Sequence, residues 1–401
     1  MRTPRLLGSL GVVLLFACRP DSTGGPAAPV PMVRAQANGT YVLQIDEIID
    51  LGTLPGHTWS EAHDINEDGV IVGTSQFDAT TKAGARAVRW PSPTSTPISL
   101  GTLGGNWSEG WGVSDKNLTI VGNSASEGSS ADRGFKWTPS GGIKDLGLIG
   151  LTAKGSGFPT VAFSAAAVSS AGSIVGTSVI VNQDSVYAGY LLDASGNYYT
   201  VPQTCTSGYY QGSARDINES GQHVGAVLCF GLFTINTTAY LATLSSMTDL
   251  GDHYDPSVTS YGRGVNNAGD VVGEFEVYTG SPTYRRHAFR WDKSFGLRDL
   301  HFKDDTVGTS VGREINSDQL VVGEYSTGTA VPQISAFVSG GGLAMTKLPA
   351  LCPEIFFAYS TAYAINDKGW IVGGSSTCAG KRHATLWKVR VLFIPFFPQT
   401  P

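Results

Sequence analysis

The sequence predicts an all-β protein, a seven-bladed β-propeller built of four-stranded antiparallel blades. Three observations carry that prediction. Seven copies of Val-Gly stand at a near-constant interval, with their glycines at Gly73, Gly122, Gly176, Gly225, Gly273, Gly323 and Gly373, spaced 49, 54, 49, 48, 50 and 50 residues apart. Self-similarity at such a period marks a repeat architecture. Each interval holds short β-rich runs punctuated by Gly, Pro, Asn and Asp, the signature of strands joined by tight turns. Finally, the segment before the first repeat looks like the fourth strand of a blade, and the last repeat lacks a clear one. An N-terminal strand completing the last blade would close the ring and remove the open sheet edges.

Residues 1–18 come first and stand outside the fold. Arg2 and Arg5 precede the apolar stretch Leu6 to Ala17. Twelve residues is too short to span a bilayer and fits the core of a signal peptide. The stretch ends in Leu15-Phe16-Ala17-Cys18, which resembles the lipobox of bacterial lipoproteins and implies cleavage before Cys18 and a lipid on that residue. Plain secretion, with a cut after Ala35-Gln36-Ala37, is the alternative. Residues 19–39 are rich in Pro, Ala, Gly and Ser and read as a disordered tether. Both readings put the protein outside the cytoplasm, held at a membrane only through its lipid or released.

Residues 40–390 form the expected propeller. Its first strand, around Ile49-Asp50-Leu51-Gly52, supplies the closing fourth strand. The clearest full unit follows. Ser60 to Asn66 is strand a and Glu67-Asp68-Gly69 a turn. Val70 to Gly73 is strand b and Thr74 to Ala85 a loop. Ala87 to Trp90 is strand c, Pro91 to Pro97 a turn, and Ile98 to Leu103 strand d. In every unit strand a ends in Ile or Val followed by Asn or Ser. Four places before that Asn or Ser stands only Ala or Gly (Ala62, Gly110, Ala165, Ala214, Gly262, Gly312, Ala362), as expected where seven inner strands crowd one axis. Gly69, Gly172, Gly221, Gly269 and Gly369 close the a–b turns and can supply positive φ. Asp64-Ile65-Asn66-Glu67-Asp68-Gly69 looks like the start of a calcium loop, but its ninth and twelfth places are Val72 and Ser75, so it reads as a turn. Residues 391–401 are a C-terminal tail, and the apolar run Val389 to Phe397 could compete for the closing position.

The landmarks resemble a bacterial family of extracellular repeats named for its His-Ala-Phe signature (HAF repeats). The signature stands here as His287-Ala288-Phe289-Arg290-Trp291, with looser forms at Ala87 to Trp90, Gly134 to Trp137 and His383 to Trp387. The family's Asp-Leu-Gly element appears at Asp50-Leu51-Gly52, Asp145-Leu146-Gly147 and Asp249-Leu250-Gly251. The third, fourth and sixth units depart from it, having no Trp in strand c. The resemblance covers about residues 48 to 388 and implies export and a repeat fold, with no defined activity or cofactor.

Five cysteines occur in the chain. With Cys18 lipidated, four remain, and three pairings are open to them. Cys205 and Cys229 flank Gly225 as Cys352 and Cys378 flank Gly373, so repeat equivalence selects Cys205–Cys229 and Cys352–Cys378, and an oxidising compartment agrees.

Net charge is −6 and charged residues are 15% of the chain, so no basic footprint for nucleic acid is present. In a propeller the b–c loops and d–a crossings share one face. Here they vary in length and carry Trp59, Trp107, Tyr209, Tyr210, Tyr254 and Phe356, so this is the expected working face of a monomer that binds a glycan or a surface protein. Arg215, Arg263 and Arg313 occupy one repeat position in three successive units and should meet at the channel mouth. They could hold a carboxylate, sulfate or phosphate, or simply pair with acids such as Asp216 or Glu314. No catalytic motif or metal set stands out. An enzyme acting on polysaccharide, a lyase or glycosidase, would need an acid/base pair from Asp64, Asp216 and Glu314. A structural scaffold without a small ligand is the third reading.

Overall fold

A computed structural model describes residues 39–395, except 79, 129–131, 150–159, 181–185, 202–209, 231–234, 252–258, 279–283, 303–307, 329–332 and 356–357. Cys18, the tether up to residue 38 and Cys205 therefore lie outside the described residues. Tyr41–Ile394 form one compact unit.

That unit is a seven-bladed β-propeller. Seven separate antiparallel sheets follow one another in chain order. Their innermost strands are Trp59–Ile65, Gly104–Val113, Thr160–Val168, Tyr210–Ile217, Ser260–Val265, Thr309–Ile315 and Ser360–Ile365. Each touches the next, and the last touches the first. The seventh sheet is closed by the N-terminal strand Gly39–Gly52, which lies on Arg382–Pro395. The ion pairs Asp50–His383, Glu47–Lys388 and Asp46–Arg390 mark that antiparallel closure. Val389 to Pro395 do not take the closing position. They lengthen the third strand of the same blade, whose span Arg382–Pro395 runs alongside the N-terminal strand.

The recurrent Val-Gly has a steric cause. In every blade the register between the first and second strands slips by one residue, as at Ala62/Asp64 and Gly312/Glu314. Such a bulge kinks the inner strand. It drives the carbonyl oxygen of Glu61, Glu109, Ser164, Ser213, Tyr261, Val311 and Thr361 onto the glycine of the same blade, where a Cβ would overlap it. The same glycines leave room for a ring from the third strand: Phe135, Tyr190, Tyr240, Phe289 and Phe337 all pack there. Tyr190 and Tyr240 donate their hydroxyls to that displaced carbonyl, at 2.9 and 3.1 Å. The Phe of the His-Ala-Phe signature therefore fills the space the glycine vacates.

The small residue one place before the bulge has a different role from the expected one. Gly110, Gly262 and Gly312 abut the second strand of the preceding blade, so an added Cβ would meet Gly73, Gly225 or Gly273 there. Close packing between blades, not crowding at the axis, selects Ala or Gly. Strand b is also longer than its apolar part suggests, running Ile71–Gln76 in blade 1 because the polar residues after Gly73 still pair.

The a–b turns behave as expected. Gly69, Gly172, Gly221, Gly269 and Gly369 all have φ between 74° and 91°. Blade 6 has Gln319 at that place, at φ 64°. The Asn before each turn does more than turn the chain. Its Oδ1 accepts a backbone N–H four residues on, as Leu320 N to Asn316, and its Nδ2 donates to the next blade. Asn218, Asn266, Asn316 and Asn366 donate in sequence to the carbonyls of Asn266, Asn316, Asn366 and Asn66, and Asn66 donates to Ser114.

Candidate functional site

The bulge decides what enters the channel. The extra residue in each inner strand is His63, Trp111, Ala166, Arg215, Arg263, Arg313 or Tyr363, and all seven line one cavity of about 220 Å³ at the axis. The residue after each bulge forms the next layer down. There blades 1, 4 and 6 place Asp64, Asp216 and Glu314, which line both this cavity and a second one, of about 200 Å³, on the a–b turn side. They are the waist of the channel. The other four blades place Gly112, Ala167, Gly264 and Ala364 in that layer.

The three arginines thus share one space, but their partners differ from Asp216 and Glu314. Arg263 is held by Glu274, with Nε to Oε2 at 2.9 Å and Nη2 to Oε1 at 2.5 Å. Arg313 donates to Glu324 at 2.7 Å. Both acids come from the second strand of the same blade, directly after its Val-Gly. The waist carboxylates face backbone instead. Asp64 accepts from Ile65 N and from Val113 N of the next blade, at 2.7 Å each. Asp216 accepts from Ile217 N and from Val265 N of the next blade, at 2.8 Å each. These bonds clamp neighbouring blades.

Burial raises the waist carboxyls. Asp64 is pushed up to about 7 and Asp216 to about 6, desolvation outweighing the backbone hydrogen bonds that favour the charged forms. Glu314 is raised too, by desolvation and then by the charges of Asp216 and Asp64.

Aromatic rings stand beside the cations. His63 stacks on Trp111, with centroids 4.1 Å apart and planes 9° from parallel. Arg313 lies over Tyr363 at 5.3 Å and Arg263 near Tyr261 at 5.7 Å. The buried Glu61 pairs with Arg382 and approaches His63 at 3.8 Å. Trp59 is half-buried, lines a side hollow with Glu61, Lys82 and Glu109, and has Arg382 5.6 Å above its ring. Trp107 stands in the second inner strand, 9% exposed between Ala85 and Ala125, with Lys82 4.6 Å over it. The side chain of Tyr210 and all of Tyr209, Tyr254 and Phe356 lie outside the description.

The cavity opens toward the b–c loops and d–a crossings, since the second cavity takes the residues of the a–b turns. On the same side Cys352 and Cys378 form a disulfide. Cys229 is disulfide-bonded as well. His63, Trp111 and Tyr363 escaped notice in the sequence although they hold the same repeat position as the three arginines. Aligning the seven units on their Asn or Ser would have grouped all seven.

The motifs of the repeat have structural partners. His287 and His383 bond to Asp299 and Asp50 on the fourth strand of their own blades, at 2.8 and 2.9 Å. Asp50, Asp145 and Asp249 of Asp-Leu-Gly each accept from the N–H of the following Gly. Two Ser–His contacts, His57–Ser75 and His301–Ser310, involve fully buried serines that also take backbone N–H groups. No group of three His, Cys, Asp or Glu among the described residues could hold a metal ion.

No protein-family model matches the chain, and no curated protein matches it in sequence. Solved structures do match in shape. The β-propeller domain of the trilobed protease from Pyrococcus furiosus, described as having an open velcro topology, aligns over 87% of this chain and 100% of its own, at 10% identity and TM-score 0.52. One of two prolyl endopeptidases studied together aligns over 86% of this chain and 51% of its own, at 9% identity and TM-score 0.55. A post-proline cleaving enzyme from Rickettsia typhi aligns over 86% and 53%, at 8% identity and TM-score 0.52. The chain spans about half the length of these two peptidases. At such identities the likeness is one of fold, and it closes the structural case that this chain is a β-propeller.

Proposed function

We propose that this chain is an exported, lipid-anchored propeller of the His-Ala-Phe repeat type that serves as a binding module for a glycan or a surface protein. One observation carries the reading. The bulge layer collects three guanidinium groups and the rings of His63, Trp111 and Tyr363 in one cavity on the face of variable loops. Cations and stacked rings in a concave site on a rigid scaffold are the chemistry of recognition. The signal sequence, Cys18 and the disulfide Cys352–Cys378 support an extracytoplasmic location. The test is a thermal-shift screen of the mature chain against neutral and acidic glycans, sulfated polymers and calcium. A ligand that binds the native state raises the melting temperature. No shift with any of them moves weight to a protein partner or to a scaffold. Labelled fatty acid that enters the wild-type chain but not Cys18→Ser tests the anchor.

A second reading, an enzyme acting on polysaccharide, draws support from Asp64 and Asp216, whose raised pKa values fall where a general acid works. Their backbone hydrogen bonds speak for a clamping role and make binding the preferred reading. Turnover of an acidic polysaccharide that vanishes in Asp216→Asn would reverse that preference.

A further inference from the structure

The three arginine blades are not alike. In blades 5 and 6 the residue after Val-Gly is an acid, Glu274 or Glu324, and it neutralises the arginine beside it. In blade 4 the same place is Ala226, which pairs with Ser213 as Glu274 pairs with Tyr261. Arg215 accordingly has no acid partner and no hydrogen bond to another side chain among the described residues, and it is exposed to the channel. Its surroundings still resemble a protein interior. Desolvation first, and then the neighbouring charge of Arg263, hold its pKa below the usual arginine range. A guanidinium reached by solvent only through a channel meets a weaker dielectric than one at the surface, so an arriving anion would interact strongly with it.

The count of charges points the same way. The layer sets three arginines against two glutamates, Glu274 and Glu324, and burial raises the carboxyls of the waist below. Within the layer, blade 4 lacks the acid that blades 5 and 6 supply. Blade 5 displays what fits such a place, a carboxylate gripped through two guanidinium nitrogens. Around Arg215 the cavity offers Asn123 and Ser164 for hydrogen bonds and Trp111 for a flat apolar face. A groove of about 460 Å³ continues from Arg215 past Tyr187 and Tyr261, with Lys82, Glu109 and Asp132 also in its lining.

We propose that Arg215 is a binding residue for the carboxylate of an acidic saccharide, and that the ligand supplies the third carboxylate that blade 4 lacks. This rests on the binding reading above. The sugar lies against Trp111, and the chain of the saccharide follows the groove outward.

Calorimetry on the mature protein with galacturonate and glucuronate oligomers, their methyl esters, inorganic phosphate and sulfate tests it. Uronate oligomers should bind, and their methyl esters should bind at least tenfold more weakly. Arg215→Gln should abolish uronate binding. Ala226→Glu should do the same by restoring the acid of blades 5 and 6, with a melting temperature at or above that of the wild type. That last variant separates ligand competition from misfolding. Equal binding of esters and acids, or binding unaffected by either variant, overturns the proposal but leaves a binding module. Binding of phosphate or sulfate in preference to uronate assigns Arg215 to another anion and overturns it too. Absence of binding by all probes overturns the proposal, while a protein partner captured on the same face would keep the broader reading.

Discussion

The two ends of the channel are built on opposite principles. At the a–b turn end the blades are nearly interchangeable. Asn side chains bond from blade to blade, from Asn218 through Asn366 to Asn66 and on to Ser114. Below them Glu67 accepts from Asp367 N, and Asp367 from Ser317 N. At the other end the bulge layer carries His, Trp, Ala, Arg, Arg, Arg and Tyr in turn. The difference teaches where a repeat is free to vary. A turn that must bond to both neighbours cannot change in one blade alone. A bulge residue is placed by its own backbone, and its side chain lines the axial cavity rather than a contact repeated in every blade, so each blade can present something different there.

The largest effect should come from breaking what both ends share. Gly323→Ala forces a Cβ onto the carbonyl of Val311 and the ring of Phe337. Steric conflict of this kind at a fixed backbone costs about 4 kcal/mol, and urea unfolding should show it. At the irregular end, Cys378→Ser opens a link across a sequence separation of 26 residues. The chain-entropy relation gives a loss of about 3.5 kcal/mol for such a loop, measurable as a lower melting temperature. At the regular end, Asn316→Ala removes one donor to Asn366 O and one acceptor for Leu320 N. About 2 kcal/mol should be lost, because both backbone partners are left unmet. Equal losses from Asn316→Ala and from a bulge-layer change such as Tyr363→Ala would erase the contrast between the ends.

The waist between the two ends predicts a pH dependence. Asp64 and Asp216 have folded pKa values of about 7 and about 6, above those of the unfolded chain. The folded state therefore holds protons more tightly, and the stability these groups give is complete below the unfolded pKa of about 3.9 and lost as pH rises to about 7. Melting temperature should fall across that window, and Asp64→Asn should flatten part of the slope. A slope of the opposite sign would mean that the waist is ionised and compensated. The smallest expected effect is a gain. Gln319 occupies positive φ where five other blades have Gly, so Gln319→Gly should raise stability by up to about 1 kcal/mol. A loss instead would mean that the side chain of Gln319 contributes more than its backbone costs.

The repeat was legible because its causes are local and recur seven times. Val-Gly answers to a contact that every blade makes, and the Asn before the turn and the Asp-Leu-Gly element to contacts that several blades share, so the period showed the blade count, the strands and the closure. The position of the arginines at the channel was legible from repeat symmetry as well. Their partners were not. Glu274 and Glu324 stand eleven residues from Arg263 and Arg313, across a bulged pairing whose register no spacing reveals. The reason for the small residue before the bulge was misassigned for a similar cause, since contact with the preceding blade depends on how two sheets pack.

By itself, then, the sequence determined a ring of seven antiparallel blades closed by its first strand, with glycines and asparagines at their fixed places. These follow from backbone sterics and turn geometry, which act over a few residues. Tertiary structure alone decided that one extra residue per blade faces the axis, that two of three arginines are neutralised and Arg215 is not, and that three carboxyls meet at the waist. Those outcomes depend on side chains drawn from strands far apart in sequence, and their distances exist only once the ring is closed.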